Sequence, residues 1–172
     1  MLEDGDFRLT ECSAILKYLA EKAGSPAYPS DLKKRARINE RMDWLNTGFY
    51  RDFGYNFIYP QTFPHHKRPD DKVHAGTIEW GRGLAKNWLK VLDENLIGPD
   101  NHYLCGNEIS IADYLGVAYI TVGEVIRADF SPYRNIGRWI DAMKSRPSWA
   151  GTNEAFYAYF VAPYKDAPFV CL

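Results

Sequence analysis

Tyr103-Leu104-Cys105-Gly106-Asn107-Glu108-Ile109-Ser110-Ile111-Ala112-Asp113 ends in the strongest helix-start signal of this 172-residue chain. Ser110 is a hydroxyl at an N-cap position, and Asp113 answers it three residues later as the other half of a capping box. Ile109 and Tyr114 stand where a hydrophobic staple would place them. The helix that follows, Ile111 to about Ile126, is apolar nearly all round, a pattern suited to the centre of a domain. Ser110 and Asp113 therefore read as a structural cap, not as catalytic groups, and losing it should cost about 0.5–2 kcal/mol.

Outward from that helix, toward the N-terminus, Asp70 or Asp71 starts a helix predicted to run to about Leu96 and to stop at Gly98-Pro99. Its stripe reads Val73, Thr77, Trp80, Leu84, Trp88, Val91 and Asn95. Gly76, Gly81 and Gly83 each cost about 1 kcal/mol relative to Ala, which implies a close helix crossing or a bend. Pro60, Pro64 and Pro69 forbid a continuous helix through the preceding connection. Before it, Ser30 or Asp31 caps a long helix with Ile38, Met42, Leu45, Phe49 and Phe53 at spacings of three and four. Gly48 and Gly54 should bend or loosen its second half.

Toward the C-terminus, Ile136, Trp139, Ile140 and Met143 mark a short amphipathic helix closed by Ser145-Arg146-Pro147. A last, aromatic-rich helix spans about Ser148 to Ala162, and the tail after Pro163 reads as irregular. At the other end, Leu2 to Leu9 reads as a hairpin around an Asp4-Gly5 turn. Thr10-Glu11-Cys12-Ser13 then opens a helix whose apolar face is Ala14, Ile15, Leu16, Tyr18 and Leu19. A two-stranded hairpin is marginal by itself. The expected fold class is mainly α, a helical domain preceded by a β-hairpin–α remnant.

The 21 Lys+Arg balance 22 Asp+Glu. That argues against a general polyanion binder, which needs a basic excess, and leaves Lys33-Lys34-Arg35-Arg37 as a solvated helix face. No apolar run approaches the roughly 18–20 residues of a bilayer span, and no signal peptide is evident. Cys12, Cys105 and Cys171 are too few and too irregular for a disulfide framework or a zinc site. His65, His66, His74 and His102 have no metal spacing. The expectation is a soluble cytoplasmic protein with no metal, no nucleic-acid partner and no membrane. The 15% aromatic content implies a large core, an aromatic-lined pocket, or both. Tyr55, Phe57, Tyr59 and Phe63, with Phe156, Tyr157, Tyr159 and Phe160, are equally candidates for pocket and for core.

Several of these segments resemble glutathione transferases. Leu2-Glu3-Asp4-Gly5-Asp6-Phe7 followed by Thr10-Glu11-Cys12-Ser13-Ala14-Ile15-Leu16-Lys17-Tyr18-Leu19 is similar to the end of their thioredoxin-like domain. Tyr28-Pro29-Ser30-Asp31-Leu32, Arg35-Ala36-Arg37-Ile38 and Trp44 resemble the start of their helical domain in the theta-like branch. Tyr103 to Asp113 resembles the family's buried capping-box segment, and Arg146-Pro147-Ser148-Trp149 its late helical turn. The Leu104-Cys105-Gly106-Asn107 version also resembles bacterial dichloromethane dehalogenases of the family. The resemblance implies residues 1–25 as the end of a thioredoxin-like domain and residues 26–172 as the helical C-terminal domain.

It also implies a cytoplasmic homodimer of detoxification type, which takes glutathione as co-substrate and conjugates it to an apolar electrophilic small molecule. Glu11, Cys12 and Ser13 match the segment that holds the γ-glutamyl end of glutathione, with Cys12 in place of the usual serine. The physics agrees, because a helix N-terminus favours a carboxylate and Glu11 can pair with an ammonium group. Trp44, Thr47, Tyr50, Arg51 and Tyr55 fall where the long helix borders the substrate cleft. Some theta-like members carry an acidic residue at the position of Thr47. Threonine departs from that pattern, and Asp43 lies one turn away. The hydroxyl or thiol that activates the glutathione sulfur has no match in this sequence, so the resemblance assigns no catalytic residue here. A non-catalytic helical dimerisation or interaction module of the same family is the alternative expectation, and a truncated product with no activity a third.

Overall fold

A computed structural model describes residues 1–172. Strands β1 (Leu2–Asp4) and β2 (Phe7–Leu9) pair antiparallel, with Asp4 opposite Phe7. The turn is therefore Gly5-Asp6, one residue later than the expected Asp4-Gly5. Gly5 takes φ +64°, and glycine first of two loop residues suits a type II′ connection. Helix α1 (Cys12–Lys22) follows. It lies along the central helix, so that Leu16 packs against the core while Leu19 stays 42% exposed.

Asp31 caps α2 (Leu32–Trp44), its carboxylate accepting from Lys34 N–H at 2.8 Å. The expected stripe is inside: Met42, Phe49 and Phe53 are wholly buried, with Ile38 and Leu45 nearly so. Burying each such side chain stabilises by roughly 1.5–3 kcal/mol. Past Trp44 the helix loosens, as the two glycines suggest, into π-helical turns at Leu45–Phe49 and Arg51–Ile58. One turn, α3 (Tyr59–Thr62), and a 3₁₀ turn at Pro64–His66 complete the proline-rich connection.

Helix α4 (Asp71–Val91), capped by Asp70, continues as π-helix to Ile97. Its buried face is not the expected stripe. Ile78, Gly81, Ala85, Leu89, Leu92 and Leu96 face inward, whereas Val73 and Trp80 are 57% and 60% exposed. The cause is the crossing with residues 51–58. Gly81 is the contact point there, and its lack of a side chain fixes which face turns in. Gly76 and Gly83, in contrast, face open space.

Helix α5 (Ile111–Ile120), extended by a 3₁₀ segment to Ile126, is the central element. Asp113, wholly buried, accepts four hydrogen bonds: Ser110 N–H, Ser110 Oγ and Leu104 N–H at 2.8 Å each, and Trp139 Nε1 at 3.0 Å. Burial raises this carboxyl's pKa, and the four donors oppose that rise. The cap thus also fastens α6 (Arg134–Lys144) and the loop before α5. Helix α7 (Trp149–Phe156) and the turns that carry on to Tyr164 bury no residue fully. No helix is long and apolar enough to cross a membrane.

Candidate functional site

At the head of α1, Glu11 is an N-cap with left-handed backbone (φ 65°, ψ 118°) and no side-chain cap bond. Such a conformation is uncommon for a residue with a β-carbon. The Glu11 carbonyl accepts from Ile15 N–H at 3.0 Å, but no protein acceptor takes the amides of Cys12, Ser13 and Ala14. Glu11 and Cys12 are exposed. The helix therefore offers its positive end and three free N–H donors outward, with one carboxylate beside them.

A wall of tyrosines gathers from residues 50–59 and from α5. The rings of Tyr50 and Tyr119 stack with centroids 3.9 Å apart and planes 14° apart. Tyr50 Oη and Tyr59 Oη share a hydrogen bond, and Tyr119 Oη donates to Asn46 Oδ1 at 2.6 Å. Tyr55 closes edge-on against Tyr50 and Tyr59, at 5.8 and 4.9 Å. His66 tops the wall, 5.2 Å from Tyr59 and 5.7 Å from Tyr55. The Tyr50 ring fits because position 54 is glycine, where a β-carbon would stand 2.9 Å from it.

Burial, reinforced by the charges of Cys12 and Glu11, pushes the Tyr119 phenol up to about 12. Burial and the neighbouring tyrosines raise Tyr50 further, and burial raises Tyr59 with Tyr55 and Cys12 adding to it. His66 is pushed the other way, first by desolvation and then by His65 and Arg68. The phenols of Tyr119 and Tyr59 thus lie within electrostatic reach of the head of α1. At neutral pH the wall is uncharged, apolar on its faces and hydroxylic at its edges.

The remaining candidates stand apart. Trp44 turns inward, stacked on Phe49 at 5.8 Å and edge-on to Trp88 at 5.5 Å. Thr47 Oγ1 donates to the Asp43 carbonyl at 2.8 Å, on an exposed face. Arg51 gives Nε and Nη2 to Asp52 at 3.1 and 3.0 Å. Asp52, 1% exposed, also accepts from Asn56 Nδ2 at 3.0 Å and Trp88 Nε1 at 2.7 Å. Phe57 is wholly buried core, whereas Phe63 and Phe160 extend the aromatic surface with rings 6.3 Å apart.

Tyr119, Asn46 and His66 were not found by reading the sequence. The available signal for Tyr119 was a phenol on a mainly apolar helix, where a buried hydroxyl needs a partner. A cavity of about 660 Å³ lies elsewhere, between the start of α2 and the loop before α5.

The family model for the C-terminal domain of glutathione S-transferase matches residues 66–147. A delta-class glutathione transferase of Nilaparvata lugens is 31% identical with a TM-score of 0.73, aligned over 95% of this chain and 72% of that one. Human glutathione transferase theta-2, crystallised with glutathione and an unknown ligand, is 27% identical with a TM-score of 0.78, over 96% and 67%. The apo form of human glutathione S-transferase T1-1 is 26% identical with a TM-score of 0.73, over 96% and 69%.

Proposed function

The chain belongs to the glutathione transferase family, and on that premise we propose that it forms the γ-glutamyl seat and the electrophile wall of a glutathione-conjugating site. In the reaction the glutathione thiolate attacks an electrophilic carbon. A sulfur–carbon bond forms, and the leaving group departs with its bonding pair. The residues named here bind and orient, a contribution that rests on holding two reactants in register. The α-carboxylate of glutathione meets the free amides of Cys12, Ser13 and Ala14, and its ammonium pairs with Glu11. The electrophile lies against Tyr50, Tyr55, Tyr59 and Tyr119. Trp44 packs behind the wall on Phe49 and Trp88, whereas Thr47 and Arg51 lie outside it.

The observation that carries the reading is the open, uncapped helix end, with a stacked tyrosine pair within electrostatic reach of it. The left-handed backbone at Glu11 adds to it, since such strain clusters at ligand-holding positions. A homodimer belongs to the same proposal. Val73 and Trp80, seven residues apart on α4, present an exposed apolar stripe of the kind that marks an interface. Three free cysteines suit the reducing cytoplasm in which we place the protein.

The test is retention on immobilised glutathione, eluted by free glutathione, for the chain and for Glu11→Ala. Retention that weakens at least tenfold in the variant is expected. Passage of the unaltered chain straight through the resin would overturn the reading and leave the helical interaction module in its place.

A further inference from the structure

A groove of about 340 Å³ runs along the outer face of α6, closed on its other side by residues 124–133. Its volume is within the range of small-molecule sites, and it shares no residue with the α1 opening or the tyrosine wall. Arg134, Gly137 and Asp141 line it at spacings of three and four, so they share one face of the helix. Each of the three works against that helix. Arg134 is its first residue, where the positive end of the dipole disfavours a cation, and Asp141 lies in its last turn, where the negative end disfavours an anion. Gly137 stands mid-helix, where glycine is unfavourable relative to alanine, although a β-carbon there would meet nothing within 4 Å. The groove's ion pair joins Lys144 to Glu124 at 2.6 Å and includes neither Arg134 nor Asp141. Local rules broken without a compensating contact mark functional positions, and here three such breaks meet in one cavity.

We propose that this groove binds a short peptide with free termini and an aromatic C-terminal residue. The seven-residue step from Arg134 to Asp141 rises about 10.5 Å along the helix, and three extended residues span about 10 Å. The peptide carboxylate meets Arg134, whose planar fork can grip both oxygens. The ammonium meets Asp141, which is left as the free acid because Lys144 already neutralises Glu124. Between the two ends the peptide backbone lies over Gly137, where no side chain stands in its way. Phe130 and Tyr133, half-buried and just ahead of Arg134 in the chain, receive the C-terminal ring. The site is independent of the glutathione reading.

The test is equilibrium dialysis of the full chain against the tripeptide Gly-Gly-Phe. Saturable binding at one site is expected, weakened at least tenfold when the peptide is N-acetylated or C-terminally amidated. Arg134→Gln should erase the preference for the free over the amidated peptide, and Asp141→Asn the preference for the free over the acetylated one. Gly137→Leu places a good helix former in open space, so it should weaken binding at least tenfold without lowering the thermal midpoint. Absence of saturable binding at millimolar peptide overturns the proposal. So does equal binding of free and blocked peptides, or binding that Gly137→Leu leaves intact. Binding lost in Glu11→Ala but kept in Arg134→Gln and Asp141→Asn would place the peptide at the head of α1 and overturn it too.

Discussion

Gly81 of α4 and Asn56 lie in backbone contact: a β-carbon at position 81 would stand 2.5 Å from the Asn56 carbonyl oxygen. The neighbour is main chain, so it cannot swing aside. Alanine should gain about 1 kcal/mol of helix propensity but force the two helices apart, an overpacking that costs typically 1–3 kcal/mol and sometimes more. Gly81→Ala is expected to lose about 2 kcal/mol in urea unfolding. Gly151→Ala, on α7 with open space around it, should instead gain about 0.5–1 kcal/mol. A Gly81→Ala chain as stable as the parent would refute this crossing.

That contact also shows what the sequence could and could not reveal. Helix boundaries, caps and the α2 stripe were legible because they rest on local chemistry: Asp31, Asp70 and Ser110–Asp113 cap the helices they appeared to cap. The inward face of α4 was not, because two interleaved stripes are both apolar. Choosing Ile78 and Leu89 over Val73 and Trp80 needed the partner at Gly81. At the candidate site, the helix start at Glu11, Cys12 and Ser13 was legible from local chemistry and Tyr55 from the aromatic run, whereas Tyr50 entered only through the family resemblance. Tyr119 was invisible because 69 residues separate it from Tyr50, and only tertiary structure stacks the two rings.

Asp52 makes stability depend on pH in the acid range. Burial raises its proton affinity, but Arg51, Trp88 and Asn56 outweigh this and hold the carboxyl below its usual value. A carboxyl depressed on folding contributes stability that is present above the unfolded value, about 3.9, and is lost as pH falls through the folded one. Arg51, the largest of the three, is 61% exposed and screened, so its share is discounted, and the half-buried Trp88 and Asn56 donors supply the rest. Asp52→Asn is expected to cost roughly 1–3 kcal/mol at pH 7 and to flatten the decline of the urea midpoint below pH 4. A parallel decline in both proteins would contradict the assignment.

The tyrosine wall predicts a spectroscopic result. With its phenol pushed up to about 12, Tyr119 stays protonated while ordinary tyrosines ionise near 10. Tyr119→Phe should therefore leave the 295 nm absorbance step between pH 9 and 10.5 unchanged. A Tyr119→Phe step smaller by one tyrosine would show that this ring is not held in the stack.

Arg127 clasps the C-terminal tail. Its guanidinium donates to the carbonyls of Tyr164, Lys165 and Ala167 at 3.1, 2.8 and 2.6 Å and lies 5.7 Å from the Phe169 ring centre. Gln61 holds Val170 from the other side, accepting its N–H at 2.8 Å. Arg127 itself is left-handed, with φ 55°, which costs a residue with a β-carbon about 1–2 kcal/mol. Replacement therefore has two separable effects. Arg127→Ala keeps the strain and loses the clasp, whereas Arg127→Gly loses both. Both variants should speed carboxypeptidase trimming of residues 165–172 severalfold, because the bonds they remove are the same. In urea unfolding, Arg127→Gly should be the more stable of the two by about 1 kcal/mol. Equal trimming of parent and variants would mean that Gln61 and the seating of Phe169 hold the tail without the arginine.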